Sequence, residues 1–398
     1  MYARSWLLLP LGLCLCAVPA GGADEPATPI GWKKTVIEKK FRAEGVAVAD
    51  VNKDGKLDIL VGDVWYEAPD WKVHEIRKPG DYKDGSGGYS QCFACWADDL
   101  NGDGWADLVV IGFPGAPCHW YENPQNKAGH WKQHVICKSA CNETPQYVDL
   151  FGKGQRALVM GFEDKQMVWV APGKDPTQPW EVHAISEPGK PAAGSQKFAH
   201  GLGVGDVNGD GKLDVIVPQG WYEQPAKDDS QSPWKFHPAG LGAACADMYA
   251  YDLDGDGKAD VISSSAHNYG IWSYLQKVKD GAEPNFVKKD LFPKLFSQSH
   301  AMNLLDVNGD GQKDFVTGKR WWAHGPKGDV DPNDPAVLYW FEAKKSKDGI
   351  VEFTPHKIDD DSGIGTQFWT GDFNGDKLPD IVVANKKGVF LIEQVRKP

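Results

Sequence analysis

Apolar and polar positions follow one another in a fixed order along most of the chain. In HGLGVGDVNGDGKLDVIVPQGWYEQP, residues 200–225, small residues (202–205) lead into an aspartate-rich loop, a β-branched run (215–217) leaves it, and an aromatic stretch (221–223) follows. A Trp-x-x-His segment, here WKFHPA from Trp234, closes the unit. Short runs of this kind, bounded by Gly, Asn and Asp, predict strands joined by turns.

The order recurs. DVNKDGKLD, DLNGDGWAD, DVNGDGKLD, DLDGDGKAD, DVNGDGQKD and DFNGDKLPD start at Asp50, Asp99, Asp206, Asp252, Asp306 and Asp372, and DLFGKGQRA at Asp149 is a seventh copy that has lost its carboxylates beyond the first. Successive copies lie 49, 50, 57, 46, 54 and 66 residues apart, which fits one supersecondary unit used seven times. Four short strands per unit predict the blade of a β-propeller. Fourth strands follow the loops as WKVHEI, WKQHVI, WEVHAI, WKFHPA, NFVKKDL and FTPHKI, but the last unit stops at its third strand, GVFLIEQ. WKKTVI, from Trp32, stands before the first loop. The N-terminal strand is therefore expected to complete the last blade and remove an open sheet edge. The expected fold is all-β, a single seven-bladed propeller within residues 24–398.

Six loops carry oxygen side chains at positions 1, 3, 5 and 9. The candidate cation ligands are Asp50, Asn52, Asp54 and Asp58; Asp99, Asn101, Asp103 and Asp107; Asp206, Asn208, Asp210 and Asp214; Asp252, Asp254, Asp256 and Asp260; Asp306, Asn308, Asp310 and Asp314; and Asp372, Asn374, Asp376 and Asp380. Hard oxygen donors around a glycine that permits the sharp turn suit calcium, with magnesium in some loops. Plain Asx turns would account for one such loop more easily than for six. The Asp149 loop has Phe151, Lys153 and Ala157 at ligand positions, so no ion is expected there. The last loop has Lys377 in place of glycine, so weaker binding is expected.

Composition changes this picture little. The formal charge is -12, and six divalent ions would cancel it, so acidity does not announce a partner. No basic patch stands out, which argues against nucleic acid. Residues 1–23 read as a secretory signal, with Arg4, an apolar run from Trp6 to Val18 and small residues offering cleavage after Ala20 or Ala23. Export to a periplasmic, cell-surface or extracellular location follows, with no membrane span. Cys92, Cys95, Cys118, Cys137, Cys141 and Cys245 would remain, an even number that suits disulfides without revealing their pairing.

The histidines sort by position. His74, His134, His183, His237 and His356 recur at one place in the fourth strands, so packing explains them. Six residues before each first loop aspartate stand Glu44, Phe93, Glu143, His200, Ala246, His300 and Thr366. Strand direction puts this ring at the face opposite the loops, around the axis, with Asp247 and Gln367 beside it. Connections between second and third strands reach the same face and bring His267, Lys319, Arg320, Trp321 and His324, with Trp369 expected nearby. Acid–base groups, a cation and aromatic platforms suit a polyhydroxylated ligand such as a sugar or oligosaccharide.

Through DVNGDGKLD and its copies the chain resembles the FG-GAP/VCBS repeat propellers. HGLGVGDVNGDGKLDVIVPQGWYEQP, SQSHAMNLLDVNGDG and GKRWWAHG are similar to the propeller part of the aldos-2-ulose dehydratase/isomerase family, although no cupin follows here. That resemblance implies water elimination from a keto-sugar and a divalent metal in the propeller. The leading expectation is an exported carbohydrate lyase in which His200 or His300 removes a proton α to a carbonyl. Arg320 would stabilise the enolate oxygen, and His267 or the other ring histidine would protonate the departing hydroxyl; Glu143, Asp247, Lys319, Trp321, His324, Gln367 and Trp369 would bind substrate. The alternative is a non-catalytic propeller that binds carbohydrate or protein.

Overall fold

The computed structural model describes residues 29–227, 233–277 and 284–396; the expected signal segment lies outside them. Seven antiparallel sheets of four strands form the blades. Blade 1 runs from Ala47–Ala49 to Lys72–Glu75, blade 2 from Ala94–Asp98 to Lys132–Cys137, and blade 3 from Gln146–Val148 to Glu181–Ala184. Blade 4 runs from Gly203–Gly205 to Lys235–Pro238, blade 5 from Tyr249–Tyr251 to Asn285–Asp290, and blade 6 from Met302–Leu305 to Val351–Asp359. Blade 7 holds Trp369–Gly371, Asp380–Asn385 and Gly388–Arg396, and Ile30–Glu38 pairs along the last of these, with Trp32 opposite Gln394. The two ends of the chain thus close the ring, as the count of fourth strands predicted. Among the described residues no helix is long and apolar enough to cross a membrane.

The core is distributed between blades. Second strands such as Asp107–Ile111 and Asp380–Asn385 are buried along their whole length, as strands covered on both faces must be, whereas Lys72–Glu75 at a blade edge is mostly exposed. First strands crowd at the axis: a Cβ on Gly203 would lie 1.9 Å from the Met248 carbonyl oxygen of the next blade. Side-chain amides stitch neighbouring blades. Asn123, Gln224, Gln276 and Gln394 donate to the carbonyls of Val51, Leu150, Val207 and Val307, each the second loop residue of the preceding blade.

Among the described residues, Cys92, Cys95, Cys118, Cys137, Cys141 and Cys245 are buried thiols. Cys118 and Cys137 are cross-strand partners with sulfurs 3.1 Å apart.

Candidate functional site

The aspartate loops occupy one face, and their carboxylates first serve the backbone. Asp206 accepts from the amides of Gly209 at 2.7 Å and Gly211 at 2.9 Å. The ninth residue is a buried staple: Asp214 accepts from Val207 N and from Gln224 N, just past the third strand. Asp58, Asp107, Asp260, Asp314 and Asp380 make the same pair of contacts in their blades. Burial, with neighbouring loop carboxylates, pushes Asp58, Asp214, Asp260, Asp314 and Asp380 up to about 6 and Asp107 to about 7. One donor oxygen each from Asp252, Asp254 and Asp260 lies within 4.8 Å of the other two, a cluster that suits a hard cation.

The departed third loop is the informative contrast. Asp149 still accepts from Lys153 N at 3.0 Å and Gly154 N at 2.7 Å, while Ala157 is buried where the staple aspartate would stand. The turn therefore forms without acids at positions 3, 5 and 9. In the last loop Lys377 adopts φ 69° and donates its amide to Asp372, as glycine does elsewhere.

On the outer strands the repeated histidines lie flat on third-strand tryptophans. Ring centroids are 4.3 Å apart for Trp65–His74 and Trp120–His134, 3.8 Å for Trp169–His183, 4.0 Å for Trp221–His237 and 4.5 Å for Trp340–His356. Glu67, Glu122, Glu223 and Glu342 hydrogen-bond His74, His134, His237 and His356 at 2.7–3.0 Å.

At the opposite face the axial ring closes tightly. His200, His267 and His300, from blades 4, 5 and 6, have ring centroids 4.5, 4.8 and 5.3 Å apart, and one nitrogen of each lies within 4.8 Å of the others. His200 Nδ1 donates to the Phe198 carbonyl at 2.7 Å, which leaves Nε2 buried without a hydrogen-bond partner. Neither nitrogen of His300 has one. Burial lowers the pKa of His200 and takes that of His300 well below the ordinary imidazole value, so both are neutral at pH 7. Glu143 lies 3.6 Å from His200 Nε2 and 3.9 Å from His300 Nε2. Burial would raise its pKa, but Arg320 and the histidines hold it below the usual value.

Arg320 is 1% exposed and spends both terminal nitrogens on carboxylates, Glu44 at 2.5 Å and Glu143 at 2.9 Å. That geometry makes it a clamp across blades 1, 3 and 6 rather than a hydrogen-bond donor facing the mouth. A further group, absent from the sequence expectations, is Asp329 on the long blade 6 connection. Its carboxylate receives His324 Nδ1 at 2.9 Å and lies 3.3 Å from His267 Nδ1. The hydrogen bond to Asp329 raises the pKa of His324, which remains exposed at the rim. Trp322, Asp329 and Asp331 take φ of 54°, 50° and 45°, strained values for residues with side chains, of a kind that clusters at functional sites. Ser297 and Gln298 pin this connection through the Val330 carbonyl.

Other expected substrate residues do not meet the histidines in the same way. Lys319 is fully buried, donates to Ser297 Oγ at 2.7 Å and is lowered to about 8 by burial. Trp321 stacks on Trp322 under Lys387 at the rim. Gln367 bonds both backbone groups of Val46. Gln367 and Trp369 line a second cavity further along the axis, while Asp247 lines both that cavity and the pocket of His200 and His300.

Residues 252–317 match the family model of the FG-GAP-like repeat. No curated protein sequence matches the chain. Among solved structures, BBS1N in complex with ARL6DN, soaked with mercury, is 12% identical with a TM-score of 0.50, over 92% of this chain and 96% of that one. Rhamnogalacturonan lyase YesW is 15% identical with a TM-score of 0.42, over 94% of this chain and 75% of that one. The likeness to BBS1N concerns the fold alone, and neither comparison bears on activity. The chain is a seven-bladed β-propeller carrying an FG-GAP-like repeat.

Proposed function

We propose that the protein is an exported carbohydrate lyase that eliminates water from a keto-sugar at the histidine mouth, with calcium, or magnesium in some loops, as structural ions at the opposite face. The observation that carries this reading is the meeting of His200, His267 and His300 beside Glu143, with buried ring nitrogens that no protein group satisfies. Buried polar atoms are almost always paired, so the cluster fits a ligand. Neutral imidazoles with an adjacent carboxylate form a donor set for a divalent cation. His200, His267, His300 and Glu143 would hold it, and when bound it supplies a Lewis acid for a carbonyl oxygen.

The remaining chemistry falls to this chain's own side chains. His200 and His300 serve as donors rather than bases, because burial leaves them poor proton carriers. Arg320 fixes Glu143 by charge and hydrogen bond. His324, made more basic by Asp329 and open to solvent, takes the proton from the carbon next to the carbonyl. The C–H electrons become the C=C bond, the β C–O bond breaks, and the imidazolium returns the proton to the leaving oxygen as water, giving an enone.

The test combines metal analysis with turnover. Protein supplied with zinc, manganese, magnesium and calcium in turn is expected to convert an aldos-2-ulose to an enone that absorbs in the ultraviolet. His200→Ala and His300→Ala are expected to lose mouth metal and turnover while staying folded. Folded variants that match wild type in both would overturn the reading. The alternative, a non-catalytic carbohydrate- or protein-binding propeller, is favoured by a groove of about 710 Å³ between blades 1 and 2, lined by Trp65, His74, Asn126 and His130. It predicts glycan or protein binding that survives both substitutions.

A further inference from the structure

The axis has a second chamber that the mouth chemistry does not use. Trp96, Tyr249 and Trp369 stand three residues before the first loop aspartates of blades 2, 5 and 7, whereas His200 and His300 stand six before theirs. At about 3.3 Å per residue, the aromatic ring lies about 10 Å further along the axis, toward the loop face. Asp247 and Thr144 touch both compartments. The aromatic one has a volume of about 240 Å³.

We propose that this chamber binds one neutral sugar ring, independently of the histidine cluster. The volume equals about eight waters at about 30 Å³ each, room for a single pyranose, and it is below the roughly 300–1,000 Å³ of sites for larger ligands. Two indoles and a phenol offer faces to the C–H side of such a ring. Trp96 and Trp369 are half-buried, and neither indole N–H donates to a protein acceptor among the described residues, so both remain available to hydroxyls. Gln146, Asn303 and Thr370 add amide and hydroxyl groups.

Charge narrows the ligand class. No Lys, Arg or His lines the chamber, so nothing selects an anion. Its one acid, Asp247, already accepts from Gln146 Nε2 at 3.0 Å and from Met302 N at 2.9 Å, which leaves little to attract a cation. A neutral, ring-shaped, hydroxylated molecule is what such walls recognise.

The experiment titrates the protein with D-glucose, D-galactose and D-xylose, none of them a keto-sugar substrate, by calorimetry and tryptophan fluorescence. At least one sugar should bind saturably, with affinity unchanged by a chelator or by His200→Asn. Trp369→Ala and Trp96→Ala should each weaken binding at least tenfold, and Thr370→Phe, which fills the chamber without truncating an indole, should abolish it while thermal unfolding stays cooperative. No saturable signal from folded wild type with any of the three, or binding that vanishes in His200→Asn and persists in Thr370→Phe, would overturn the proposal. Failure of the dehydratase reading leaves this result untouched, because no readout here depends on turnover.

Discussion

Two sets of histidines in one ring live under opposite conditions. His74, His134, His183, His237 and His356 each find a tryptophan inside their own blade, and most also find a glutamate there. His200, His267, His300 and His324 meet one another across blades 4, 5 and 6, and the set includes buried ring nitrogens with no hydrogen-bond partner. A position repeated around the ring is satisfied locally, because each blade must fold against its neighbours in the same way. A position used once gains its meaning only where the blades converge. The same division separates the ninth loop aspartates from Asp329 and Arg320.

The largest expected effect tests the cross-blade clamp. Arg320→Met leaves Glu44 and Glu143 buried without their counter-ion, and breaking a buried pair in this way costs about 3–5 kcal/mol. Urea unfolding should show that loss, with Glu44→Gln/Arg320→Met partly restored. A variant within about 1 kcal/mol of wild type would mean the clamp is not structural.

Next, substitution should split the two sets of histidines. His300→Ala is expected to reduce turnover at least about 100-fold with little change in urea midpoint. His237→Ala should leave turnover intact and cost about 1 kcal/mol, the scale of a stacked aromatic contact. Equal effects of the two on stability and turnover would erase the distinction.

Much of this division was legible in the sequence, and for a physical reason. The loops, the Trp-x-x-His strands and the closure by Trp32 repeat or complete a repeat, so each copy checks the others. The offset of His200 and His300 was readable because one strand direction serves every blade. Asp329 was not: it is one of three aspartates in GPKGDVDPND, where Gly, Pro and Asp signal only a turn. Arg320 read as a free cation because its partners, Glu44 and Glu143, are contributed by other blades. Asp247 does share the pocket of His200 and His300, but Gln367 and Trp369 were grouped with the histidines although a first strand spans both compartments of the axis, and about 10 Å separates its ends.

The loops extend the comparison to pH. In the unfolded chain the ninth aspartates titrate near 3.9; in the fold five are pushed up to about 6 and Asp107 to about 7. Between those values the folded protein holds more protons than the unfolded one, so in chelator its stability falls as pH rises from about 4 to about 7. If the ionised loops hold calcium as proposed, the ion would add stability by linkage, about 2.7 kcal/mol per site at a hundredfold excess over Kd. Melting temperature should therefore rise with calcium at pH 7.5 and respond little at pH 4.5. No response at pH 7.5 would remove calcium from the loops.

The smallest effect concerns the one intact loop that departs from its siblings. Lys377 holds φ 69° where Gly55, Gly104, Gly211, Gly257 and Gly311 hold 80–86°, a region that costs a residue with a side chain about 1–2 kcal/mol. Lys377→Gly relieves that strain but gives the unfolded chain more freedom, about 0.5–1 kcal/mol in the other direction. The net change in chelator should be a stabilisation of no more than about 1.5 kcal/mol. Loss of a positive charge beside Asp372, Asn374 and Asp376 should also add to the calcium-dependent rise in melting temperature. If Lys377→Gly instead destabilises the protein in chelator, the lysine side chain stabilises this loop by its own contacts, and the loop is a repeat position that has taken on a singular role.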